Sequence, residues 1–485
     1  MIFNSLTYLV FLCVAVVLYR TLGRRMRLWM VFLSSCVFYG FWRWEFLPIV
    51  LFSTATDYIA ALQIARHANR RPRVVWLCTS LAVNLGLLFY FKYTAFFVEN
   101  VWSGLALLGI DAPPFILKIT LPLGISFYTF QTISYTVDVY RRIIPPEKDF
   151  VLYAGYVMFF PQLVAGPILR AKEVIGQLSR RGPFELTDLG AGLRRIVYGL
   201  FLKVFLADTL AGIVDNGFGM PAASLGAWDV WTLAFLFGFQ IYFDFSAYSH
   251  IAIGSARLMG IRLIENFNFP YMACSPREFW QRWHISLSSW IRDYLYLPLC
   301  GATVEDRSAG GLGKAAGTAK GVRTTYALFA TWAIMGLWHG ANWTFVLWGL
   351  QHAAIIVVYR AGAPVRERLP QVVRVYGGWA VTLGFAMLAW IAFRTQSVSD
   401  AGALYGRLLD PQAYLWRGLK EQTYLLTALM LGATVLCAVA QQYALPVIRR
   451  RRFLWATVET AGLAAITALV IIFLRPINQF IYFQF

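Results

Sequence analysis

Charged residues are scarce in this sequence. Asp, Glu, Lys and Arg make up 14% of its 485 residues, while hydrophobic residues make up 59%, and the mean hydropathy is +0.58. A soluble globular protein carries about 25% charged residues. This deficit excludes a large soluble enzyme, and the many long stretches without charge predict a helical membrane protein that crosses the bilayer repeatedly.

Acidic residues are fewer than basic ones, with 24 Asp and Glu against 43 Lys and Arg and a net charge of +19. In a soluble protein this excess would suggest nucleic-acid binding. Here the arginines cluster between apolar segments, at 20–27, 66–73 and 449–452, as they do in cytoplasmic loops of membrane proteins. The clusters predict that both termini lie outside the cytoplasm. The first cation, Arg20, follows the first apolar run, so we expect a retained helix and not a signal peptide.

Motifs of metal sites and of soluble hydrolases are missing. The six cysteines contain no C-x-x-C pair and are interpreted as apolar side chains, not as disulfides or metal ligands. H-E-x-x-H and G-x-S-x-G are absent, and "GGLGKAAG" lacks the spacing of a phosphate-binding loop. The sequence therefore predicts no metal site and favours acid–base chemistry by histidine on a hydroxyl.

Apolar segments predict about eleven membrane crossings within one domain over residues 1–485. No internal repeat is visible, which disfavours a transporter built from inverted repeats. The segment "YVMFFPQLVAGPILR" at 156–170 is apolar but is broken by prolines and glycine, and it predicts a re-entrant or kinked segment near a site. The glycine-rich segment at 301–321 predicts a flexible cytoplasmic loop.

The segment "SPREFWQRWHISLSSWIRDYLYLPL" at 275–299 predicts one amphipathic helix along the cytoplasmic interface. At about 100° per residue, tryptophans and aliphatic residues share one face, and polar residues such as Arg292 and Asp293 lie opposite. His284 falls on the apolar face and points into the protein. It is either a buried histidine with one hydrogen bond or a functional group.

His339 lies in "GLWHGANW" at 336–343, within the 36 residues 324–359 that contain no charged side chain. If Arg323 and Arg360 are both cytoplasmic, this stretch is a hairpin whose bend follows His339, about 24 Å from Arg323 along a helix. A polar residue at that depth is costly and usually faces a functional path. The alternative is a hydrogen-bonded histidine that only stabilises the bend.

Other polar residues in apolar segments have weaker signals, and His250 and His352 have no distinctive setting. Four charged residues are interpreted as ion-pair partners in packing: Asp57, Lys92, Asp138 and Asp244. Beside His339 and His284, the candidates for lining a substrate path are Trp338, Asn342, Ser286, Arg282, Trp290 and Asp244.

Several motifs in combination resemble the membrane-bound O-acyltransferase (MBOAT) family, and within it the alginate O-acetyltransferase (AlgI-like) type. These motifs are "LPLGISFYTFQTISYTVDVYR" (121–141), "FFPQLVAGPILR" (159–170), "YFDFSAYSHIAIG" (242–254), "ENFNFPYMACSPREFWQRWHISLSSWIRDYLYLPL" (265–299), "MGLWHGANWTFVLWGLQH" (335–352) and "FIYFQF" (480–485). They extend over nearly the whole chain. One departure is His250 in "YSHIAIG", where the family commonly has Asp.

The resemblance implies a fold and a site. The family fold is a ring of transmembrane helices around a thinned centre, with re-entrant and interfacial helices and a tunnel that joins donor and acceptor sides. His339 matches the family's catalytic histidine, and His284 matches a second functional position. The implied location is the bacterial inner membrane, with multiple crossings and both termini periplasmic.

The resemblance also implies a reaction. Acetyl-CoA is the expected donor, an exported polysaccharide such as alginate is the expected final acceptor, and no metal is required. A periplasmic SGNH-type acetyltransferase is the expected partner, apart from the surrounding lipid. Two alternatives stay open: D-alanyl transfer of the teichoic-acid type from a carrier-protein thioester, and, from a different class, a polytopic transporter. Nucleic acid is not an expected partner.

Overall fold

The structure is a computed structural model that describes residues 1, 3–110, 119–164, 166–180, 182, 185–302 and 322–474. Within these ranges all regular structure is helical, which confirms the predicted all-α class. The α-helices are α1 Leu6–Thr21, α2 Arg24–Arg43, α3 Leu47–Arg66, α4 Arg70–Leu88, α5 Thr94–Leu107, α6 Ile125–Tyr140, α7 Phe150–Val157, α8 Ala171–Ser179, α9 Leu186–Leu200, α10 Asp208–Phe218, α11 Ala227–Leu258, α12 Pro276–Arg282, α13 Ile285–Ile291, α14 Leu297–Leu299, α15 Val322–His339, α16 Trp343–Ala361, α17 Ala363–Glu367, α18 Gly378–Arg394, α19 Val398–Leu409, α20 Glu421–Val439, α21 Leu445–Arg450 and α22 Arg452–Ile472.

Short helical turns of other types adjoin these helices. The π-helical turns are Phe89–Tyr93, Phe201–Ala207, Arg292–Tyr296, Val373–Gly377 and Ala440–Ala444. The 3₁₀ turns are Trp44–Phe46, Ala222–Ser224, Pro270–Met272 and Pro411–Tyr414. The predicted flexible loop at 301–321 lies outside the described residues from 303 onward.

Several helical segments are long and apolar enough to cross a membrane. In the part of the chain that the structure describes there are seven: Arg24–Arg66, Arg70–Leu107, Leu186–Phe218, Ala227–Leu258, Trp343–Ala361, Val373–Arg394 and Phe453–Ile472. Shorter apolar helices cover Leu6–Thr21 and Glu421–Cys437. The protein is therefore a multi-pass membrane protein, as predicted, while the predicted number of about eleven crossings stays a prediction.

The chain forms two compact units. One consists of residues 1–196 with 248–265, and the other of residues 197–247 with 266–485. The prediction of a single transmembrane domain over 1–485, with a ring of helices around a thinned centre, stays a prediction.

A buried carboxylate in the first unit is held by neutral groups. Asp57 of α3 is fully buried and accepts hydrogen bonds from Ser80 Oγ at 2.6 Å and from Asn84 Nδ2 at 2.8 Å. Asn84 Oδ1 accepts hydrogen bonds from Ser53 Oγ at 2.8 Å and from Thr132 Oγ1 at 3.1 Å. The ion-pair interpretation of Asp57 is wrong, because a hydrogen-bond network of neutral side chains from α3, α4 and α6 replaces the cation.

The segment at 156–170 is broken between α7 and α8, as predicted. The irregular backbone is buried and finds hydrogen-bond partners within the protein. Phe160 N donates to Ser35 Oγ at 3.1 Å. Leu169 O accepts a hydrogen bond from Tyr156 Oη at 3.0 Å. Irregular backbone is tolerated at membrane depth when protein satisfies it in this way, and the proximity of this segment to a site stays a prediction.

α15 and α16 form a closely packed hairpin in the second unit, as predicted. A Cβ atom on Gly336 would lie 2.2 Å from Phe345 O. A Cβ atom on Gly349 would lie 2.1 Å from Trp332 O. Glycine lets the two backbones approach each other, as small residues commonly do between membrane helices.

Substitution of Gly349 by alanine should loosen this hairpin. The new methyl group would meet the Trp332 carbonyl, which is backbone and cannot rotate away, so α15 and α16 must separate. We expect a destabilisation of about 1–3 kcal/mol, as for other overpacked sites, measured as a lower thermal unfolding temperature in detergent. Gly384→Ala on α18 is the matched control, because its Cβ would lie in open space. Equal stability of the two variants would contradict the close packing.

Candidate active site

His339 is the last residue of α15, at the bend of the hairpin. Its side chain is buried, with 4% exposed. Aromatic rings surround it, with centroid distances of 5.0 Å to Trp338, 5.0 Å to Trp348 and 5.3 Å to Phe393. These apolar walls shield the imidazole from water.

Asn342 forms the bend itself. As the N-cap residue of α16, it accepts a hydrogen bond at Oδ1 from Thr344 N at 3.0 Å, which satisfies a helix N–H group that has no partner within the helix. Its Nδ2 donates to Gln396 O at 2.7 Å. The bend is thereby tied to the loop that follows α18.

The arginines of the hairpin lie at the end opposite His339. α15 begins next to Arg323 and extends for 18 residues, which is about 27 Å, and α16 returns the chain to Arg360. If both arginines are cytoplasmic, as the charge pattern predicts, His339 lies near the outer half of the bilayer. This is consistent with the deep position that the sequence predicts for it.

The segment at 275–299 is not one continuous helix, so this prediction is wrong at its centre. α12 and α13 are separated by Trp283 and His284, and His284 has a left-handed backbone with φ of 41°. Asp293 is buried, although the helical pattern placed it on the polar face. Asp293 lies after the break at 283–284 and within the π-helical turn Arg292–Tyr296, so a single helical period over the whole segment does not apply to it.

Hydrogen bonds from a distant segment create the break. Asn268 N donates to Arg282 O at 2.9 Å, and Ile285 N donates to Asn266 O at 2.9 Å. These bonds replace two that a continuous helix would make within itself. Periodicity cannot reveal the break, because the partners lie outside the helical segment in sequence.

Asn266 also holds the side chain of His284. Asn266 Oδ1 lies 3.1 Å from His284 Nδ1 and accepts a hydrogen bond from Ser286 Oγ at 2.8 Å. With Nδ1–H donating to Asn266, the lone pair of the neutral imidazole is on Nε2. The ring is fully buried and meets Phe245 edge-on at 4.6 Å. The amide oxygen of Asn266 thus sets the tautomer of His284 and helps to orient its ring.

Burial lowers the pKa of His284 to about 3, because the imidazolium ion would lose its hydration. The ring therefore stays neutral throughout the physiological pH range. A group with so low a pKa is a weak proton acceptor. His284 is thus better suited to hydrogen bonding and orientation than to general-base catalysis.

Trp338 contacts both histidines. Its ring centroid is 6.4 Å from that of His284 and 5.0 Å from that of His339. All three residues belong to the second unit. The structure therefore brings the two predicted catalytic positions into one buried aromatic site, with Ser286 joined to it through Asn266.

Arg282 and Trp290 make their described contacts away from the histidines. Arg282 Nη2 forms an ion pair with Glu278 Oε1 at 2.6 Å, one turn earlier on α12. Trp290 packs against Tyr294, with 5.2 Å between ring centroids. The predicted lining of a substrate path by these two residues stays a prediction.

Asp244 forms a buried ion pair, as predicted. Its Oδ1 lies 2.9 Å from Lys203 Nζ, which also lies 2.8 Å from Asp208 Oδ1. Lys203 belongs to the π-helical turn Phe201–Ala207. Asp244 directly precedes Phe245 on α11, and the ring of Phe245 contacts His284. The ion pair therefore holds the part of α11 that carries Phe245, so Asp244 affects the site through Phe245.

Asn266, Trp348 and Phe393 complete the site but are not predicted from the sequence. Phe393 lies at the end of α18 and Trp348 in α16. Aromatic residues occur throughout the chain and carry no individual signal. Asn266 had one available signal, as a polar residue beside apolar ones in "ENFNFP".

His352 shares an aromatic neighbour with His339. Its ring lies 4.9 Å from that of Trp348, and its Nδ1 accepts a hydrogen bond from Trp280 Nε1 at 3.3 Å. The sequence indicates no setting for this histidine. In the structure it joins α12 to α16 within the aromatic packing around the site.

His250 lies in the first unit. Its Nδ1 accepts a hydrogen bond from Arg195 Nε at 3.1 Å, and Arg195 Nη1 donates to Glu265 Oε1 at 2.7 Å. The residue that departs from the family pattern thus has a structural partner within its own unit.

Comparison with known proteins gives consistent results. The model of the membrane-bound O-acyltransferase family (MBOAT) matches residues 145–397, which contain both His284 and His339. The "Probable alginate O-acetylase AlgI" of Pseudomonas syringae pv. tomato is 38% identical over 84% of this chain and 75% of its own length. The "Peptidoglycan O-acetyltransferase" of Helicobacter pylori is 34% identical over 77% of this chain and 72% of its own length. The "Teichoic acid D-alanyltransferase" of Streptococcus thermophilus is 29% identical over 49% of this chain and 56% of its own length.

The family model covers more than half of the chain, and it includes the hairpin, the broken 275–299 segment and the histidines that they carry. The resemblance found in the sequence motifs is therefore confirmed. This chain belongs to the membrane-bound O-acyltransferase family and is a multi-pass membrane enzyme that transfers acyl groups to oxygen.

Proposed function

We propose that this enzyme moves acetyl groups from cytoplasmic acetyl-CoA across the bacterial inner membrane for O-acetylation of an exported polysaccharide, with alginate as the first candidate. The observation that carries this proposal is the pair of buried histidines whose rings both lie next to the ring of Trp338. Support for the acetyl group comes from the relatives named as acetylating enzymes, which match this chain over most of its length.

The alternatives have weaker support. The D-alanyl-transferring relative matches only about half of the chain. A transporter is not supported, because the family is one of acyltransferases. The peptidoglycan-acetylating relative matches nearly as well as the alginate type, so the glycan of peptidoglycan is the second candidate acceptor.

In the proposed reaction the acceptor hydroxyl oxygen attacks the thioester carbonyl carbon. His339 accepts the hydroxyl proton as the new C–O bond forms. The tetrahedral intermediate then expels the CoA thiolate as the C–S bond breaks, and His339 returns the proton to the sulfur. The products are an acetyl ester and free CoA thiol, and His339 ends neutral, as it began.

His284 is proposed to position the donor. Polarising the thioester carbonyl would require an N–H group at Nε2, but hydrogen bonding of Nδ1–H to Asn266 places the lone pair there. Nε2 can instead accept a hydrogen bond from an amide N–H, such as those of the pantetheine arm of CoA. This assigns His284 a role in binding and orientation, in agreement with its low pKa.

The cellular setting follows from the same proposal. Both termini are proposed to be periplasmic, which requires an even number of crossings, since the arginine clusters at 20–27, 66–73 and 449–452 favour cytoplasmic loops. A periplasmic SGNH-type acetyltransferase is proposed as the partner that completes transfer to the sugar. The basic cytoplasmic loops would attract the phosphates of acetyl-CoA.

The donor is tested with the purified protein. Acetyl-CoA should be cleaved with release of free thiol, and the apparent affinity should fall as the salt concentration rises, because phosphate contacts are screened. The comparison substrate is a D-alanyl carrier-protein thioester. Cleavage of the carrier-protein thioester alone would overturn the donor assignment and favour the D-alanyl alternative.

A further inference from the structure

Trp348 carries a buried hydrogen-bond donor that has no acceptor. A buried tryptophan takes its N–H group out of water, so the group usually finds an acceptor in the protein. Trp280 Nε1, for example, donates to His352 Nδ1 at 3.3 Å. The Trp348 side chain is only 1% exposed, yet its Nε1 has no hydrogen-bond acceptor among the residues that the structure describes. Packing alone does not explain this costly arrangement.

The indole of Trp348 is in direct contact with His339. The two rings meet edge-on, with 5.0 Å between centroids and 85° between planes. Phe393, which also contacts His339, lies 5.2 Å from the Trp348 ring. Trp348 directly precedes Gly349, where a Cβ would lie 2.1 Å from Trp332 O. The unpaired donor is thus held beside His339 by the closely packed hairpin that carries both residues.

The proposed reaction requires a donor of this kind. When the hydroxyl oxygen bonds to the thioester carbon, an electron pair of the C=O bond moves onto the carbonyl oxygen, which becomes negative. The pair returns to re-form C=O when the C–S bond breaks. Fixed hydrogen-bond donors aimed at that oxygen stabilise the transition state. In the proposed mechanism His339 carries the proton and His284 Nε2 holds a lone pair, so neither supplies this hydrogen bond.

We propose that Trp348 is the missing donor and that its Nε1–H group binds the carbonyl oxygen of the acetyl thioester. The inference rests on the proposed function and adds a catalytic residue to the same site. An indole donates a hydrogen bond and accepts none at nitrogen, which suits a negative oxygen. Because Nε1 has no acceptor among the described residues, it gives up no protein hydrogen bond when the carbonyl arrives, and its buried setting strengthens the interaction.

Trp348→Phe tests the donor, because it removes the N–H group and keeps an aromatic ring. The hydrogen bond strengthens as charge develops on the oxygen, so the loss should appear in kcat. We expect kcat to fall by about 10²–10³-fold, as when one donor to such an oxygen is removed. KM for acetyl-CoA should change much less. The measurement is release of free thiol from acetyl-CoA by the purified full-length protein.

Trp390→Phe is the matched control. Trp390 is also 1% exposed, and its Nε1 likewise lacks an acceptor within the described part of the chain. Its ring stacks on Trp348 at 6.0 Å and packs against Trp283 at 5.0 Å. The substitution removes the same atoms from the same aromatic cluster, and kcat should stay near the wild-type value. Equal losses of kcat in the two variants would show an effect of packing and overturn the assignment.

A second replacement separates the N–H group from the shape of the ring. Benzothienylalanine at position 348 puts a sulfur atom where the indole has its N–H group and keeps the two fused rings. The protein should keep its thermal stability, which shows that it is folded, and should lose kcat as Trp348→Phe does. A kcat equal to that of the wild type would mean that the N–H group has no part in catalysis.

The vibration of the bound carbonyl reports the hydrogen bond directly. His339→Gln should bind isotope-labelled acetyl-CoA without turning it over, and a hydrogen bond to the carbonyl oxygen lowers its stretching frequency. The infrared band should lie lower in His339→Gln than in the same protein that also carries Trp348→Phe. Identical bands would overturn the assignment and leave the proposed function intact. If the wild-type protein releases no thiol from acetyl-CoA, the proposed function itself is rejected.

Discussion

His339→Ala should abolish acyl transfer in a protein that remains folded. A hydroxyl is a poor nucleophile at neutral pH, and a positioned base contributes about 10²–10⁴-fold to such a reaction. We therefore expect kcat to fall by about that factor, measured as acetyl transfer by the purified variant. Because the ring packs against Trp338, Trp348 and Phe393, removing it leaves a gap. His339→Gln should be measured in parallel, since it better preserves the volume but cannot act as a base.

The control for His339 is His67→Ala. His67 follows α3, and its ring nitrogen contacts Gln63 O at 2.8 Å, outside the proposed machinery. Its substitution should leave kcat unchanged. Binding of acetyl-CoA should be retained in both His339 variants, since the donor is held elsewhere in the proposed mechanism. A folded His339→Gln protein with near-normal turnover would show that the base is another group.

His284→Asn should impair donor use without straining the backbone. The left-handed conformation of residue 284, with φ of 41°, is accessible to Asn but costs about 1–2 kcal/mol for most other residues. His284→Asn therefore removes the imidazole alone, whereas His284→Ala also adds strain and lowers stability. We expect KM for acetyl-CoA to rise and kcat to fall, by about tenfold or more in kcat/KM. Unchanged donor kinetics in His284→Asn would contradict the positioning role.

The pH dependence of activity tests the surroundings of His284. Because burial lowers the pKa of His284 to about 3, this ring does not change charge between pH 5 and 8, and no titration of His284 should shape the activity profile there. Asn266→Asp would place a carboxylate at Nδ1 and raise the pKa of His284, since an opposite charge favours the imidazolium form. The variant should lose activity at the pH values where His284 becomes protonated, while the wild type does not. Identical pH profiles would argue against contact between residue 266 and His284.

Several apolar helices could be predicted because their signal is local. Absence of charge over a sufficient length is a property of consecutive residues, so the hairpin of α15 and α16, the turn after α2 and the break at 156–170 are all visible in the sequence. His339 could be singled out for the same reason. It lies at the predicted bend of a long uncharged stretch, and the family motif marks it.

The geometry of the site could not be predicted, because it depends on contacts between distant segments. His284 was expected on a continuous helix, but hydrogen bonds from Asn266 and Asn268 interrupt that helix. The ion-pair interpretation was right for Asp244 and wrong for Asp57, since a buried carboxylate can be satisfied by a cation or by neutral donors. Composition alone cannot distinguish these two solutions.

The amino-acid sequence by itself determined the class of protein, its apolar segments, its family and the two histidines, because hydropathy and motif spacing are carried by neighbouring residues. Only the tertiary structure decided that Trp338 contacts both histidines, that Asn266 sets the tautomer of His284, and that Phe393 packs against His339. The physical reason is that packing and hydrogen bonding act between side chains that are close in space. In this chain Asn266 precedes His284 by 18 residues, and Phe393 follows His339 by more than fifty residues, so neither contact leaves a pattern in the sequence.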